Sequence, residues 1–302
     1  MKRRSFIKQT SAATAFVAAS SYGLVSFSKP TTKHLTILHT NDTHSRIDPF
    51  PVDDVRNANR GGVARRATVI EQIRKENPNT LLLDAGDIFQ GTPYFNFYGG
   101  ELELKLMSML GYDASTFGNH EFDNGIDGLL AQLPHAKFDF ICSNYDFSNT
   151  ILDGYTKPYK IIIKDGIKIG IFGIGVELEG LVTKNLYKET RYLDPIEIAQ
   201  DMVKILKHQQ KCDLVICLSH IGYEYQDETI SDIKLAQKTS GIDLIIGGHT
   251  HTFLPKPTVI KNIEGKDTII NQVGFAGINL GRIDFYFDYS KNKDSKGAVI
   301  EI

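Results

Sequence analysis

The sequence predicts an α/β fold, a four-layer αββα sandwich in which two mixed β-sheets lie face to face and helices cover their outer faces. Short apolar runs typical of buried strands alternate with amphipathic helical segments along the chain. The pair Asp165-Gly166 lies between two apolar runs and favours a tight antiparallel hairpin, so both parallel and antiparallel strands are expected. With 302 residues, of which 41% are hydrophobic, the chain is long enough to bury a large core.

The order of the elements is read from short apolar runs for strands and from apolar residues three and four apart for helices. Strands are predicted at 34–39, 80–83, 113–117, 138–142, 159–173 (two strands), 213–218, 243–246, 258–263, 268–273 and 281–289, and helices at 63–76, 101–110, 194–209 and 232–239. A polar stretch at 290–296 and one short strand at 298–302 are expected to follow.

The first 30 residues differ in composition from the rest of the chain. Arg3 and Arg4 precede an uncharged run of small and apolar residues at 10–25, which resembles a twin-arginine export signal. An ordinary basic start before a core helix would also explain the pattern. The run is too short and too rich in Ser, Thr and Ala to favour a membrane span, and no Cys follows it to carry a lipid. We therefore predict an export signal at 1–30, one domain at 31–302, no stable membrane anchor in the mature chain and a periplasmic location.

Charge and cysteine content exclude several classes of function. The formal net charge is -2 and the Lys and Arg residues are scattered, so neither a nucleic acid polymer nor an acidic membrane is predicted as a partner. Cys142, Cys212 and Cys217 lack the spacing of a metal site. We interpret all three as small buried hydrophobic residues.

Polar side chains follow five of the predicted strands at the point where each strand ends. Taken singly, each of these loops is explained as an ordinary surface loop. Taken together, they lie at strand ends that a shared sheet would bring to one place, where ligand sites of α/β proteins form. The residues concerned are Asp42, His44, Asp87, Asn119, His220, His249 and His251.

These seven side chains offer carboxylate, amide and imidazole donors without a thiolate. Such a set suits a borderline divalent metal, such as manganese, iron, zinc or cobalt, better than a structural zinc site. Seven donors exceed the needs of one ion, whereas two ions that share a carboxylate would use them all. We therefore predict a site for two divalent metal ions, an arrangement suited to in-line displacement at phosphorus.

Five sequence blocks carry a resemblance to a known family. They are Asp42-x-His44, Gly86-Asp87, Gly118-Asn119-His120-Glu121, Ser219-His220 and Gly248-His249-Thr250-His251, in this order. The blocks resemble the calcineurin-like metallophosphoesterases. The longer segments 86–93 and 118–123 resemble more narrowly the catalytic domain of the bacterial 5'-nucleotidase and UDP-sugar hydrolase group. The resemblance spans about residues 34–290 and implies the αββα fold, a catalytic domain at 31–302 and a nucleotide or other phosphate ester as substrate.

The resemblance also implies a role for each donor. Asp42, His44 and His251 would hold one metal ion, Asn119, His220 and His249 the other, and Asp87 would bridge them. His120 would assist the leaving group while a metal-activated hydroxide attacks phosphorus, and Asp123 would orient His120. In an extended segment residues two apart face the same way, so His249 and His251 could serve adjacent ions.

Further residues near these blocks have weaker functional interpretations. Glu121 has no role in the metal scheme and is predicted to be structural. Arg65 lies in a further family-like segment, 61–65, but its place on a predicted helix face favours a structural role over substrate binding. Four aromatic residues would either form an apolar wall near Asp87 or pack in the core or on the surface: Tyr94, Phe95, Phe97 and Tyr98.

The specificity element and the partner stay open. Most nucleotidases of this group have a second domain that clamps the nucleoside base between aromatic rings, and no such domain is predicted after residue 289. The domain is expected either to work alone with loose specificity or to need a separate nucleoside-binding polypeptide. Two further possibilities are hydrolysis of a sulfur-linked substrate and a scaffold without catalytic activity. Retention of all seven donors and His120 argues against the scaffold.

Overall fold

Two six-stranded β-sheets dominate the computed structural model, which describes residues 32–302 except residue 289. Lys33–Ile302 fold as one compact unit. The predicted export signal at 1–30 lies outside the described residues and stays a prediction. Among the helices of the described residues, none is both long and apolar enough to cross a membrane.

The described elements follow one another as an alternation of strands and helices. The strands are β1 Lys33–Thr40, β2 Thr80–Asp84, β3 Ala114–Ser115, β4 Asp139–Phe140, β5 Tyr145–Asp146, β6 Tyr159–Lys164, β7 Ile167–Gly175, β8 Arg191–Tyr192, β9 Leu214–His220, β10 Leu244–Gly247, β11 Thr258–Lys261, β12 Asp267–Asn271, β13 Asn279–Phe287 and β14 Lys293–Glu301. The helices are α1 Val63–Glu76, α2 Pro93–Tyr98, α3 Glu101–Leu110, α4 Gly125–Gln132, α5 Lys184–Tyr187, α6 Pro195–Val203 and α7 Asp232–Lys238. Short 3₁₀ turns span His120–Phe122 and Leu133–His135, and a π-helical turn spans Lys204–Gln209.

Both large sheets are mixed, as predicted. The first has the strand order β14-β13-β1-β2-β3-β4 and the second has the order β11-β12-β10-β9-β7-β6. Strands β1 to β4 run parallel to one another, and so do β12, β10, β9 and β7. The hairpin at Asp165-Gly166 joins β6 and β7 in antiparallel register. Because β1, β2 and β3 are parallel, their carboxyl ends meet at one edge, and the same holds for β9 and β10.

Alternation of side chains along the strands builds the layers. Leu81 and Leu83 of β2 lie in the core between the two sheets, whereas Leu82 packs with helix residues on the outer face of the first sheet. In β9, Ile216 faces the core between the sheets, and Val215 packs under α6 and α7. Burial of each such side chain contributes about 1.5–3 kcal/mol. The predicted four-layer αββα sandwich is therefore confirmed.

Local signals set several of the helix ends. Asp194 caps α6, because its carboxylate accepts the N–H groups of Ile196 and Glu197, and Pro195 occupies the first helical position. Gly111 ends α3 in the left-handed region at φ 72°, where glycine has no steric cost. The helix predicted over 194–209 is α6 followed by the π-helical turn.

The structure corrects several predicted elements. Helices α2, α4 and α5 were not predicted, because four to eight residues are too few to show a helical period. The strand predicted at 113–117 pairs only over Ala114–Ser115. The strand predicted at 298–302 begins earlier, because most of the polar stretch 290–296 belongs to β14, which pairs with β13 along the sheet edge. Its side chains are largely exposed, and a charged edge strand has no apolar pattern to detect.

Candidate metal centre

The ends of five strands bring the predicted donor side chains together. Loops after β1, β2, β3 and β10 carry six of them, and the seventh, His220, is the last residue of β9. Three groups have ligand atoms that all lie within 4.8 Å of one another: Asp42 with His44 and His251, Asp87 with His220 and His249, and His44 with Asp87 and His120. The first group has the same three members as one set that the sequence resemblance implies, and the second shares His220 and His249 with the other set and contains Asp87 instead of Asn119.

The nitrogen and oxygen atoms of the cluster point toward one another. Nε2 of His44 lies 2.9 Å from Nε2 of His251, and the latter lies 3.4 Å from a carboxylate oxygen of Asp42. On the other side, Nε2 of His220 lies 3.0 Å from Oδ2 of Asp87. Asp87 is also 3.9 Å from Nε2 of His44, so its carboxylate lies near histidines of both groups.

Oδ1 of Asn119 is buried at this site and has no hydrogen-bond partner among the described residues. Nδ1 of His220 lies 2.6 Å from the carbonyl oxygen of Ala85 and therefore carries a proton, so the nitrogen that faces the cluster is Nε2, 3.0 Å from Oδ2 of Asp87. An unpaired buried acceptor costs about 1–3 kcal/mol, and a cation would satisfy the Asn119 oxygen and replace the proton that His220 shares with Asp87. The donors therefore fit a metal site.

Burial and charge set the protonation of the donors. Burial lowers the pKa of His249 to about 4 and also lowers the pKa of His44, so both rings are neutral at pH 7, as metal ligands must be. Burial opposes the charged forms of Asp87 and His220. Their mutual contact outweighs burial, so the pKa of Asp87 lies below its usual range and the pKa of His220 is raised to about 10. The surroundings of Asp87 thus favour a positive charge.

Five of the seven donors have a left-handed backbone conformation. The φ angles are 49° at Asp42, 47° at His44, 54° at Asp87, 74° at His249 and 52° at His251. Residues with a side chain rarely adopt this region, and such strain concentrates at functional sites. The extended segment predicted for His249 and His251 is therefore wrong. Their rings still separate, since His249 lies beside His220 (centroids 5.3 Å apart) and His251 beside His44 (4.9 Å).

Gly118 lets two of the loops approach closely. A Cβ atom at this position would lie 2.2 Å from Oδ1 of Asp87 and 2.6 Å from Nε2 of His220. Its φ angle is outside the left-handed region, so the lack of space, rather than a turn, requires glycine here.

Glu121 joins the loops that follow β2 and β3. Its buried carboxylate accepts the backbone N–H groups of Asp87 (2.9 Å), Ile88 (2.7 Å), Phe89 (3.2 Å) and Gly118 (2.6 Å). These bonds fix the backbone on both sides of Asp87. The structural role predicted for Glu121 is therefore confirmed.

We expect Glu121→Ala to lower the free energy of unfolding by at least about 3 kcal/mol, since four buried N–H donors lose their shared acceptor. Urea denaturation measures the effect. The control, Glu179→Ala, removes an exposed carboxylate and should change stability by less than about 0.5 kcal/mol. Equal stability of the two variants would contradict the role assigned to Glu121.

His120 and Asp123 form a pair beside the donor cluster. Nδ1 of His120 lies 2.8 Å from Oδ2 of Asp123, and the backbone N–H of His120 donates to Oδ1 of Asp87 over 2.8 Å. The hydrogen bond to Asp123 raises the pKa of His120, against the effect of partial burial. The His120 ring remains 32% exposed. The exposed part of the ring is therefore accessible to a group bound at the candidate metal centre.

Several of the remaining predicted residues have structural roles. The Arg65 guanidinium bonds to Asn59, which agrees with a structural role rather than substrate binding. The four aromatic residues belong to α2 and divide between core and surface: Phe95 is buried against Phe89, whereas Phe97 is 81% exposed. The three cysteines Cys142, Cys212 and Cys217 are free and buried, as predicted.

Sequence reasoning missed two residues next to the donors. The Asn41 amide donates to Asp42 (2.5 Å) and to the carbonyl of Gly274 (2.7 Å), and it accepts the N–H of Val273 (3.0 Å). Phe275 stacks on the His251 ring, with centroids 5.3 Å apart. Asn41 could have been noticed as the neighbour of Asp42, but no sequence signal connects Phe275 with His251.

The fold and the donor cluster define an α/β sandwich domain with a candidate metal centre. The calcineurin-like phosphoesterase family matches residues 35–253. The chain therefore belongs to this family, whose members use a dinuclear metal centre, and its domain is that of a metal-dependent phosphoester hydrolase.

Individual relatives agree with the family. The trifunctional nucleotide phosphoesterase YfkN of Bacillus subtilis is 37% identical over 84% of this chain and 18% of its own length. The solved structure of a 5'-nucleotidase precursor from Thermus thermophilus is 35% identical, with a TM-score of 0.81 over 89% of this chain and 55% of that one. The sulfate thiohydrolase SoxB of Thermus thermophilus is 19% identical, with a TM-score of 0.73 over 88% and 56%, and shares the fold alone. The chain spans 18% of the length of YfkN and about half the length of the snake venom 5'-nucleotidases that it also matches.

Proposed function

We propose that this domain hydrolyses the phosphate ester of nucleotides, as a 5'-nucleotidase does. The observation that carries the proposal is the placement of two donor groups on either side of Asp87 with His120 beside them. The 35% identity to a 5'-nucleotidase precursor supports nucleotides as the substrate class. The sequence resemblance to the UDP-sugar hydrolase group extends the class to sugar nucleotides.

In this proposal the seven donors would hold two divalent ions. Asp42, His44 and His251 would hold one ion, Asn119, His220 and His249 would hold the other, and Asp87 would serve both. Two such ions, whether manganese, iron, zinc or cobalt, would neutralise phosphoryl oxygens and activate water for attack at phosphorus. The neutral His44 and His249 rings and the free oxygen of Asn119 are suited to this role.

His120 acts on the leaving group. Its protonated ring donates a proton to the ester oxygen as the bond from phosphorus to that oxygen breaks, so the product leaves as a neutral alcohol. Asp123 holds Nδ1–H of the ring and thereby directs Nε2 toward the substrate. The N–H of His120 also anchors Asp87, which couples the position of the acid to the shared ligand.

Asp123→Asn should move the alkaline limb of the kcat profile to lower pH. The Asp123 carboxylate raises the pKa of His120, and the acid acts only when protonated, so its removal makes activity disappear at a lower pH. A pH series of kcat with AMP measures the shift. An unchanged alkaline limb would contradict the pairing of Asp123 with His120.

The substrate class is tested by a phosphatase screen in the presence of manganese. The panel contains nucleoside monophosphates, UDP-sugars, cyclic nucleotides and a sulfur ester. We expect nucleotides to give the highest kcat/KM. Turnover of the sulfur ester alone, or of no nucleotide, would overturn the proposal.

A second candidate is a catalytic subunit that needs a separate nucleoside-binding polypeptide. The observation that favours it is that the matched region covers only about half the length of several 5'-nucleotidases. We place the protein in the periplasm on its twin-arginine-like sequence alone. Pull-down from that compartment followed by size exclusion tests both points. A stable monomer with full nucleotidase activity would contradict the need for a partner.

A further inference from the structure

Three phenylalanine rings lie together beside His251. Phe275 stacks on the His251 ring, and the rings of Phe253 and Phe50 contact Phe275 edge-on, with centroids 5.8 Å and 6.5 Å away. We call Phe50, Phe253 and Phe275 the aromatic shelf. None of the three belongs to the buried cores of the sandwich. The aromatic shelf therefore lies outside the cores of the sandwich, next to the candidate metal centre.

The open part of the shelf is Phe253. One face of Phe50 is covered by the Arg46 guanidinium, 4.2 Å from the ring centroid, and Phe275 is covered by His251. Phe253 is 44% exposed. Its ring offers the free aromatic surface of the cluster, two residues beyond His251 in the chain.

Phe253 is exposed and yet held in place. Its backbone pairs with Val273 in an antiparallel bridge, and the next residue, Leu254, donates its N–H to the carbonyl of Gln272. One side of the ring lies against Gly274, where a Cβ atom would come within 2.2 Å of the ring. Gly274 adopts φ 84°, so both its conformation and its lack of a side chain make room for the ring. The position of the Phe253 ring is therefore already set before a ligand binds.

We propose that the aromatic shelf binds the base of the nucleotide substrate, with Phe253 as the stacking ring. This inference rests on the proposed function. A nucleobase is planar and stacks on aromatic side chains, whereas the phosphate would lie at the donor cluster and the ribose would span the gap. The catalytic domain would thus carry a base-binding subsite of its own.

The test compares substrates with and without a base. Adenosine 5'-monophosphate and ribose 5-phosphate share the phosphate and the sugar, so only the base can respond to the shelf. In Phe253→Leu, KM for the nucleotide should rise about tenfold, while kcat and the KM for ribose 5-phosphate stay unchanged. Phe253→Tyr should restore the wild-type KM because it keeps the ring. The control Tyr155→Ala removes an exposed aromatic side chain elsewhere and should change neither substrate.

A binding measurement separates stacking from catalysis. In the His120→Asn background, a fluorescent adenine nucleotide analogue should bind the manganese-loaded protein about tenfold more weakly when Phe253 is leucine, with less quenching. An unchanged affinity, or an equal KM change for ribose 5-phosphate, would overturn the subsite and leave the proposed function intact. Failure of the wild-type protein to hydrolyse any nucleotide would overturn the proposed function and the subsite together.

Discussion

Asp87→Asn is expected to reduce bound metal from two ions per chain to at most one and to lower kcat for AMP by at least about 10³-fold. Asp87 is the carboxylate that lies between both donor groups, 3.0 Å from His220 and 3.9 Å from His44. Two bound divalent ions would contribute several kcal/mol to the stabilisation of the transition state, and each 1.4 kcal/mol is a factor of ten in rate. Metal analysis of the purified protein and phosphate release measure the two effects.

The control for Asp87 is Asp153→Asn, which makes the same change at an exposed position. It should keep two metal ions and full activity. If Asp87→Asn kept both as well, Asp87 would not be the shared ligand. Circular dichroism of the variant separates loss of the site from loss of the fold, because β2 and its neighbours should be unchanged.

His120→Asn is expected to lower kcat for AMP by about 10²- to 10⁴-fold while both metal ions stay bound. The ring lies beside the donor cluster and bonds to Asp123, so it can give a proton without being needed as a ligand. A leaving group that needs no proton should be less affected. Hydrolysis of p-nitrophenyl phosphate should therefore fall much less than hydrolysis of AMP.

The two substrates distinguish proton donation by His120 from a role as a ligand. An equal loss on both, or a loss of metal, would show that His120 acts as a ligand or as a structural residue. The ring nitrogens of His120 lie close enough to His44 and Asp87 to make metal binding by His120 worth measuring. His208→Asn, on the exposed side of the π-helical turn, is the matched control and should keep wild-type activity.

The layers of the fold could be predicted from the sequence, and so could the strand ends at which the donor residues lie. Buried strands such as β2 are continuous apolar runs, and the polar residues at their ends are visible at once. Asp194 and Pro195 marked the start of α6 through a purely local mechanism. Convergence of the loops could be expected because parallel strands share an edge.

What escaped prediction depends on contacts between distant parts of the chain. The left-handed backbone at Asp42 and His251 is imposed by the surrounding loops and has no signature in residue type. The contact of Phe275 with His251 brings together the loops after β10 and β12, and nothing in either segment indicates it. Strand β14 is stabilised by backbone pairing with β13, so its polar side chains gave no pattern.

Two-metal catalysis centred on Asp87 is tested by a manganese titration of the protein after removal of all metal with a chelator, with phosphate release from AMP as the signal. We predict no hydrolysis without metal and a rise in activity that reaches its maximum at two manganese ions per chain. Full activity in the chelator, or a maximum at one ion per chain, would contradict a two-metal phosphoesterase built on Asp87.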